Sequence, residues 1–291
     1  MTTHPTLFVS GAGGKLGRKV VELLLERGYE GRIIAGSRQP EALGFAGVES
    51  RKADFADPAG LTAALEGVDR FLLISTDTLG EVRQKLHANA VAAAQAAGVK
   101  HIAYTSMPYP EPGIIVPMAP DHYATEQAIK ASGLEYTILR MSWYAENLLQ
   151  ALPPVLGSGK WFTSAGEGRL SHVPRADTAR AAAGALLSDH VGSRVLTVTG
   201  TAALTQREIA AIATELTGKP IEVVDVTDEE LTAGLQQVGL PAGVAQLLTT
   251  FDVLHREGGL SMVTNAVEVL WGSKPQSVRE FLAANKAALG A

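Results

Sequence analysis

Cysteine is absent from the 291 residues of this chain. Its absence excludes disulfides, thiolate nucleophiles and cysteine-ligated metal or iron–sulfur centres, so any redox chemistry must reside in a bound cofactor. We predict no metal site. No apolar run approaches the roughly 18 residues of a membrane span, and residues 1–4 lack the basic and apolar regions of a signal peptide. We therefore expect a cytoplasmic protein with no membrane partner.

The sequence also lacks blocks of like charge. Lys and Arg number 25 against 30 Asp and Glu, which gives a net charge of -5. Binding along a phosphate backbone needs clustered basic side chains, so a nucleic-acid partner is not expected. The composition, 46% hydrophobic and 19% charged, is typical of a globular chain with one large α/β unit and an appended lobe. The composition leaves open whether the chain forms a homodimer.

Apolar runs alternate with helical stripes along the first half of the chain. Strands are predicted at residues 7–10, 32–36, 48–53, 70–75, 101–106 and 136–140, and a later one at 195–198. Helices are predicted at residues 81–97, 122–131, 176–187 and 205–216, with shorter stripes at 20–25 and 61–65. Alternation of this kind indicates βαβ units, so we predict an α/β protein with a Rossmann-type, doubly wound parallel sheet.

A glycine pattern follows the first predicted strand and opens the first predicted helix. Gly11, Gly14 and Gly17 have a G-x-x-G-x-x-G spacing, which permits a tight turn and lets a pyrophosphate approach the backbone. The helix offers its unpaired N–H groups and positive dipole end to phosphates. We predict a dinucleotide site that includes Lys15 and Leu16 as well as the glycines. The alternative is a glycine-rich turn without a ligand.

The end of the second strand distinguishes the two nicotinamide dinucleotides. NAD enzymes usually have an acidic residue there, whereas a basic residue accommodates the 2′-phosphate of NADP. Ser37 and Arg38 occupy this position, and a guanidinium matches phosphate oxygens well, so NADP(H) is the predicted cofactor. The alternative for Arg38 is a solvated loop arginine. Asp54 has two open roles, as an acceptor for the adenine amino group or as a cap of the following turn.

Polar residues also stand where later strands end. Ser75, Thr76 and Ser106 fall at predicted carboxyl ends, which is where an open α/β sheet binds its ligand. We therefore expect them to lie in the cofactor site.

The catalytic pair of standard short-chain dehydrogenases is missing. Those enzymes use a tyrosine whose pKa is lowered by a lysine four residues further on, but here Gln127 stands four residues after Tyr123. Without a neighbouring cation Tyr123 should keep its proton near neutral pH, so we expect it to be a pocket wall and not an acid. This absence favours acceptors that take hydride without a strong acid, such as quinones and other electron-poor conjugated molecules.

Aromatic residues are only 5% of the chain, yet they cluster beyond the strand that ends at Arg140. Trp143 and Tyr144 follow it directly, and Trp161 and Phe162 come soon after. Such residues provide walls for a flat acceptor, although packing in the core explains the same clustering.

The pattern becomes irregular beyond the sixth predicted strand. Pro153, Pro154 and several glycines interrupt a segment of mixed aromatic and polar residues, which predicts loops. We assign residues 1–150 to an NADP(H)-binding Rossmann domain and residues 151–291 mainly to a smaller C-terminal substrate lobe. Residues from about 176 to 200 are expected to return to the sheet, and both parts are expected to share one continuous hydrophobic core.

Several motifs together resemble one family. They are GAGGKLG at 11–17, SR at 37–38, LLIST at 72–76, GVKHIAYTS at 98–106, His122 with TE at 125–126, LRMSWYAEN at 139–147, RAD at 175–177 and VGLP at 238–241. The chain resembles the NmrA-like atypical short-chain dehydrogenases, with the greatest likeness to flavin-free NADPH:quinone oxidoreductases and triphenylmethane dye reductases. The likeness covers the whole chain and is strongest before residue 147.

The resemblance implies a reductase that passes hydride directly from NADPH to a quinone, a similar conjugated acceptor or a triphenylmethane dye. By matching position, the residues that would bind the cofactor are Gly11, Gly14, Gly17, Arg38, Ser75 and Thr105. Tyr144 and Asn147 would line the substrate side, and with His122 they are the candidate catalytic residues. A lone histidine at a helix start is also compatible with a structural cap or a surface position. Related quinone reductases have lysine where this chain has Gln127, so a cofactor contact there would be weaker.

Two other functions stay open at the level of the sequence. A non-catalytic NADP(H)-binding redox sensor of the NmrA type also fits the missing Tyr/Lys pair. A nucleotide-sugar epimerase shares the fold but needs that pair for acid–base chemistry. Oxidation of NADPH by an acceptor would distinguish the reductase from the sensor.

Replacement of Arg38 tests the cofactor assignment. Arg38→Ala should weaken NADPH binding far more than NADH binding, because only NADPH carries the 2′-phosphate. Dissociation constants of both dinucleotides for the wild type and the variant provide the measurement. Equal losses for the two would contradict the assignment of Arg38.

Overall fold

The computed structural model describes residues 4–290, and within them the chain forms nine strands and eleven α-helices. The strands are β1 Leu7–Val9, β2 Ile33–Ser37, β3 Glu49–Lys52, β4 Arg70–Leu73, β5 His101–Ser106, β6 Glu135–Met141, β7 Lys160–Thr163, β8 Arg194–Val198 and β9 Glu222–Asp225. The helices are α1 Lys15–Glu26, α2 Pro58–Ala64, α3 Glu81–Ala96, α4 Ala119–Ala131, α5 Leu148–Ser158, α6 Arg175–Leu187, α7 Gln206–Thr217, α8 Asp228–Gln237, α9 Ala242–Arg256, α10 Ala266–Trp271 and α11 Val278–Ala284.

Seven strands form one sheet in the order β3-β2-β1-β4-β5-β6-β8, and every neighbouring pair is parallel. The predicted α/β fold with a Rossmann-type, doubly wound sheet is therefore confirmed, together with the late strand at 195–198. The strand order reverses between β1 and β4, and ligands of such sheets bind at the carboxyl ends of the strands that flank this point. Within residues 4–290 no helix has the length and apolar character needed to cross a membrane.

Helices cover both faces of the sheet, which explains why its central strands are mostly apolar and almost entirely buried. Leu7 and Val9 of β1 pack with α1, α6 and α10, whereas Phe8 between them packs with α2, α3 and α4. Parallel strands buried on both faces read as continuous hydrophobic runs. The sheet thus separates two cores.

The expectation of one continuous core is wrong. Besides the two cores on the faces of the sheet, a third cluster joins α5, α7 and α11, and a fourth joins the chain after β5 to α9. β7 and β9 form a small parallel sheet beside the third cluster, and Trp161 of β7 packs against that cluster. The hydrophobic residues are therefore divided among four clusters, and the first and fourth of these include residues from both halves of the chain.

The loops predicted around Pro153 and Pro154 are also wrong, because this segment is the helix α5. Leu148, Leu152 and Leu156 recur four residues apart and are buried in the third cluster. Burial of this apolar stripe outweighs the low helix propensity of proline. Neither proline has an N–H to donate, so the helix lacks two of its backbone hydrogen bonds.

Removal of one of these prolines should stabilise the protein. Pro154 is exposed, so Pro154→Ala can restore the missing bond without disturbing the core, and we expect the free energy of unfolding to rise by about 1–2 kcal/mol. Urea denaturation provides the measurement. The matched control is Pro120→Ala, since Pro120 is exposed in the first turn of α4, where proline loses no bond. A rise of equal size in both variants would contradict the explanation.

Candidate active site

A cavity of about 520 Å³ opens at the carboxyl edge of the sheet, beside the point where the strand order reverses. Its walls include many of the residues singled out from the sequence, namely Gly11, Gly14, Lys15, Leu16, Gly17, Ser75, Thr105, Ser106, His122, Tyr144 and Asn147. A second cavity, of about 510 Å³, lies at the amino edge and contains none of them. The site is therefore sought at the carboxyl edge.

The turn between β1 and α1 has a shape that only glycine permits. Gly11 has a φ of +60°, a conformation that L side chains rarely adopt. A Cβ on Gly17 would lie 2.3 Å from the carbonyl oxygen of Gly11, so α1 could not approach the turn so closely with any other residue. Gly14 is the N-cap of α1 and provides no capping side chain. The first N–H groups of the helix are left for a ligand.

Hydrogen bonds between neighbouring strands hold the floor of the cavity. The Ser10 hydroxyl donates to the carbonyl of Leu72 and accepts from the N–H of Ile74, each at 2.9 Å. The N–H of Ser75 donates to Thr105 Oγ1, also at 2.9 Å. These bonds tie the ends of β1, β4 and β5 together and fix the path of the chain after β4. Ser10 was not singled out from the sequence.

Four of the predicted site residues lie outside the cavity walls. Ser37 ends β2, and its hydroxyl accepts a hydrogen bond from the N–H of Gln39 at 3.1 Å. Arg38 is exposed and forms no hydrogen bond or ion pair with any residue between 4 and 290. Asp54 Oδ1 accepts from the N–H of Ala56 at 2.9 Å. Of its two open roles, the cap of the turn is the one observed.

Thr76 is the fourth predicted residue outside the cavity walls, and it forms hydrogen bonds with other residues of the protein. Its N–H donates to Nε2 of the buried His87 at 3.1 Å, and its hydroxyl lies 3.0 Å from that of Thr78. Of the two adjacent residues predicted from their position at the end of a strand, Ser75 therefore lines the cavity and Thr76 does not.

His122 lies inside α4, after the N-cap residue, and its side chain is buried. It is therefore neither a helix cap nor a surface residue. Arg83 Nη2 lies 2.9 Å from Nε2 of His122, and the Tyr104 hydroxyl lies 2.8 Å from Nδ1. Because arginine can only donate, Nε2 must accept, so the proton of the neutral ring is on Nδ1 and faces Tyr104. Burial, reinforced by Arg83, lowers the pKa of His122 well below its ordinary value. His122 therefore has no proton to give to a substrate.

One wall of the cavity is apolar and contains residues that sequence reasoning missed. Phe251, from α9, packs on Trp143 with ring centroids 4.0 Å apart. The other missed apolar lining residues include Ile74, Met107, Pro108, Met118, Met141, Leu254 and Leu260. Ile74 and Met141 belong to the LLIST and LRMSWYAEN motifs but were given no role there, and the others belong to none of the quoted motifs. Because these residues are far apart in the chain, only the fold reveals that they meet.

Three aromatic residues expected at the pocket lie elsewhere. Trp161 packs in the third cluster and Phe162 is exposed, since both belong to β7 in the small sheet. Tyr123, on α4, is not among the residues that line the cavity. Trp161 is thus explained by packing in the core, which was the alternative interpretation of the aromatic clustering, and Phe162 faces solvent.

Comparison with known proteins identifies the family. A family model described as NAD(P)H-binding matches residues 11–189. Quinone oxidoreductase 2 of Escherichia coli K12 is 36% identical over 277 residues, which are 94% of this chain and 96% of that protein. The chain belongs to the NmrA-like NAD(P)H-binding family. It is an NAD(P)H-dependent oxidoreductase.

Two solved structures match almost the whole length of the chain. The NADPH-dependent quinone oxidoreductase of Escherichia coli, in complex with NADPH, has a TM-score of 0.89 and 35% identity, and the match covers 97% of this chain and 99% of that one. Triphenylmethane reductase of Citrobacter sp., in complex with NADP(H), has a TM-score of 0.87 and 32% identity with the same coverage.

The residues at the glycine turn fit a dinucleotide. The first turn of α1 contains Lys15 and no acidic residue, and Gly11, Gly14 and Lys15 are exposed at the mouth of the cavity. A phosphate would therefore meet backbone N–H groups and one cation, without a carboxylate of that helix turn nearby. No group of three or more His, Cys, Asp or Glu side chains within residues 4–290 is arranged to hold a metal ion.

Ser106 is bound to a buried ion pair beneath the cavity. Its hydroxyl donates to Glu126 Oε1 at 2.7 Å, and Arg140 donates to both oxygens of Glu126 at 2.9 and 2.8 Å. Burial alone would raise the pKa of Glu126, but these hydrogen bonds hold it below its ordinary value. Arg140 also contacts Glu111 at 2.7 Å, in the chain after β5. The cluster thus anchors the segment that supplies Met107 and further lining residues.

Other buried histidines make stability depend on pH. Burial, with a contribution from Arg83, lowers the pKa of His87 to about 3. Burial likewise lowers the pKa of His101 to about 4 and that of His172 to about 3. In the unfolded chain each titrates near its ordinary value of about 6.5. The unfolded state therefore binds more protons between these values, and stability is lost as the pH falls from 6.5 towards 4.

The size of this acid destabilisation can be measured. Between pH 6 and pH 4.5, each buried histidine should contribute up to about 1.4 kcal/mol per pH unit to the slope of the free energy of unfolding. In His87→Gln the slope should decrease by nearly that amount. His190 is exposed, so His190→Gln should leave the slope unchanged. An unaltered slope in His87→Gln would show that His87 is already protonated in the folded protein at these pH values.

Proposed function

We propose that the protein is an NADPH-dependent reductase that transfers hydride directly to a quinone or a similar conjugated acceptor. One observation carries the proposal. The glycine turn and the apolar wall of Trp143 and Phe251 face one cavity, about 520 Å³ in volume. A dinucleotide on the turn and a flat acceptor against the wall would therefore be in contact, as direct hydride transfer requires.

NADP(H) is the proposed cofactor, and it supplies the hydride. Arg38 supports this choice, because its exposed guanidinium follows Ser37 at the end of β2, where the ribose of a dinucleotide is held. We assign binding of the cofactor to residues 1–150 and of the acceptor mainly to residues 151–291. Gly11, Gly14, Gly17, Ser75 and Thr105 would position the dinucleotide, while Tyr144 and Asn147 would contact the acceptor.

The polar residues of the cavity favour an acceptor that needs no protein acid. Partial burial raises the pKa of Tyr144 above its ordinary value, and His122 keeps its proton towards Tyr104. A simple ketone requires a proton at its oxygen during reduction. A quinone delocalises the new charge and can take its proton from water afterwards. The absence of a suitable donor among the lining residues thus supports the quinone class over ketones.

The names of the relatives are consistent with this class. One is a quinone oxidoreductase and another a triphenylmethane reductase, each solved with its cofactor, and both kinds of acceptor are conjugated and electron-poor. A redox sensor would bind the cofactor without needing an apolar wall for a second molecule. The wall therefore supports the reductase over the sensor. A cytoplasmic location stays a prediction from the sequence.

Oxidation of NADPH tests the proposal directly. Purified protein without added flavin should oxidise NADPH in the presence of benzoquinone and menadione, observed as loss of absorbance, whereas a simple ketone should give no turnover. Protein inactivated by heat is the control for direct chemical reduction. Tight binding of NADPH without oxidation by any acceptor would instead indicate the sensor.

A further inference from the structure

Arg175 is the first residue of α6 and lines the cavity beside Tyr144. Its guanidinium carbon lies 4.8 Å from the centre of the Tyr144 ring, and its side chain is 25% exposed. Within residues 4–290 none of the guanidinium N–H groups forms a hydrogen bond, although the backbone N–H of the same residue does. Because the side chain lies at the cavity wall, these donors remain available to water or to a bound molecule.

The nearest carboxylate does not fill these donors. Glu146 Oε1 is 3.9 Å from Arg175 Nη1, which is too long for a hydrogen bond. Both oxygens of Glu146 accept from the backbone N–H of Arg175, at 3.0 Å each, so this carboxylate is bound at the start of α6. The guanidinium keeps its capacity to donate towards the cavity.

Few other charged groups face this space. Among the described lining residues the second cation is Lys15, which stands at the glycine turn, and there is no Asp or Glu. Phosphates on the turn would neutralise Lys15. His122 is neutral, as its contact with Arg83 requires. Arg175 therefore supplies the positive charge next to the acceptor wall, and its ion pair with Glu146, at 3.9 Å, offsets that charge only in part.

We propose that Arg175 contacts the acceptor and stabilises the negative charge that hydride transfer creates on a neutral quinone. The inference rests on the proposed function and specifies the acceptor class of the same cavity. Neutral quinones and anionic acceptors are favoured over cationic dyes. Sequence reasoning quoted Arg175 only as part of a family motif and assigned it no role.

The charge balance of the reaction explains why one residue distinguishes the two acceptor classes. NADPH loses a hydride, which carries both electrons of the broken C–H bond, and becomes NADP⁺. A neutral quinone that gains this hydride becomes a hydroquinone monoanion, which then takes a proton from water. A cationic triphenylmethane dye gains the hydride at its central carbon and becomes neutral. A nearby guanidinium favours the step that creates negative charge and disfavours the binding of a cation.

Replacement of Arg175 should therefore affect the two acceptors differently. Arg175→Gln should lower kcat/KM for menadione by about tenfold to a hundredfold, the loss expected for a charge-assisted contact. For a cationic triphenylmethane dye kcat/KM should stay the same or rise. Arg175→Lys should keep part of the menadione activity, since it retains the charge but not the planar donor set. Arg169→Gln, an exposed arginine paired with Glu208, is the control and should change neither.

Binding provides a second readout that does not depend on turnover. Calorimetric titration of protein saturated with NADP⁺ compares 2-hydroxy-1,4-naphthoquinone, which is ionised at neutral pH, with its neutral 2-methoxy ether. The wild type should bind the anion about tenfold or more tightly than the ether. Arg175→Gln should lose this preference and Arg169→Gln should keep it.

Three results would overturn the assignment of Arg175. They are an equal loss of activity with quinone and dye, an unchanged preference for the anion in Arg175→Gln, and a loss confined to NADPH binding, which would identify a cofactor contact. If the wild type reduces no acceptor, the proposed function fails, and the titration still decides whether Arg175 binds an anion in this cavity.

Discussion

The approach of α1 to the turn after β1 determines where the rest of the site can lie. With 2.3 Å between the position of a Gly17 Cβ and the Gly11 carbonyl oxygen, any side chain at 17 would push the helix away. The start of α1 would then leave the carboxyl edge of the sheet, and with it the unpaired N–H groups that a pyrophosphate needs. Ser10 binds the end of β1 to β4 and the chain after it, and Thr105 of β5 binds the N–H of Ser75, so the floor of the cavity is built onto the same end of β1.

Most polar side chains around this cavity support the structure and have no free proton for chemistry. Glu126 binds Arg140 and Ser106, while His122 is fixed between Arg83 and Tyr104. Each bond compensates for the loss of hydration of a buried group. The same bonds remove the acids and bases that a ketone reductase would use. A redox reaction in such a site must depend on proximity and electrostatics, which is why the guanidinium of Arg175, without a hydrogen bond within residues 4–290, matters.

The parts of the molecule that could be predicted from the sequence are those set by local pattern. The strand at 101–106 has the predicted bounds, and all six of its residues are buried. The glycine turn is recognisable because its constraint acts within seven residues. Phe251 and Arg175 reach the cavity only through the packing of α9 and α6. Nothing in their local sequence reports that placement. The helix α5 was missed for a related reason: its two prolines act locally, whereas the cluster that stabilises it includes residues more than a hundred positions away.

Selectivity among acceptors should then depend on charge more than on shape. Three methionines, Met107, Met118 and Met141, line the cavity, and methionine adapts to ligands of different outline because its side chain is flexible and polarisable. An apolar pocket distinguishes molecules that differ by one methylene by only about 1–3 kcal/mol. Walls of this kind tolerate quinones of many substitution patterns. A cation beside such walls is not adaptable, since it favours anions and disfavours cations whatever their outline. Within this chain the charge at the start of α6, and not the shape of the cavity, should therefore rank acceptors of different charge.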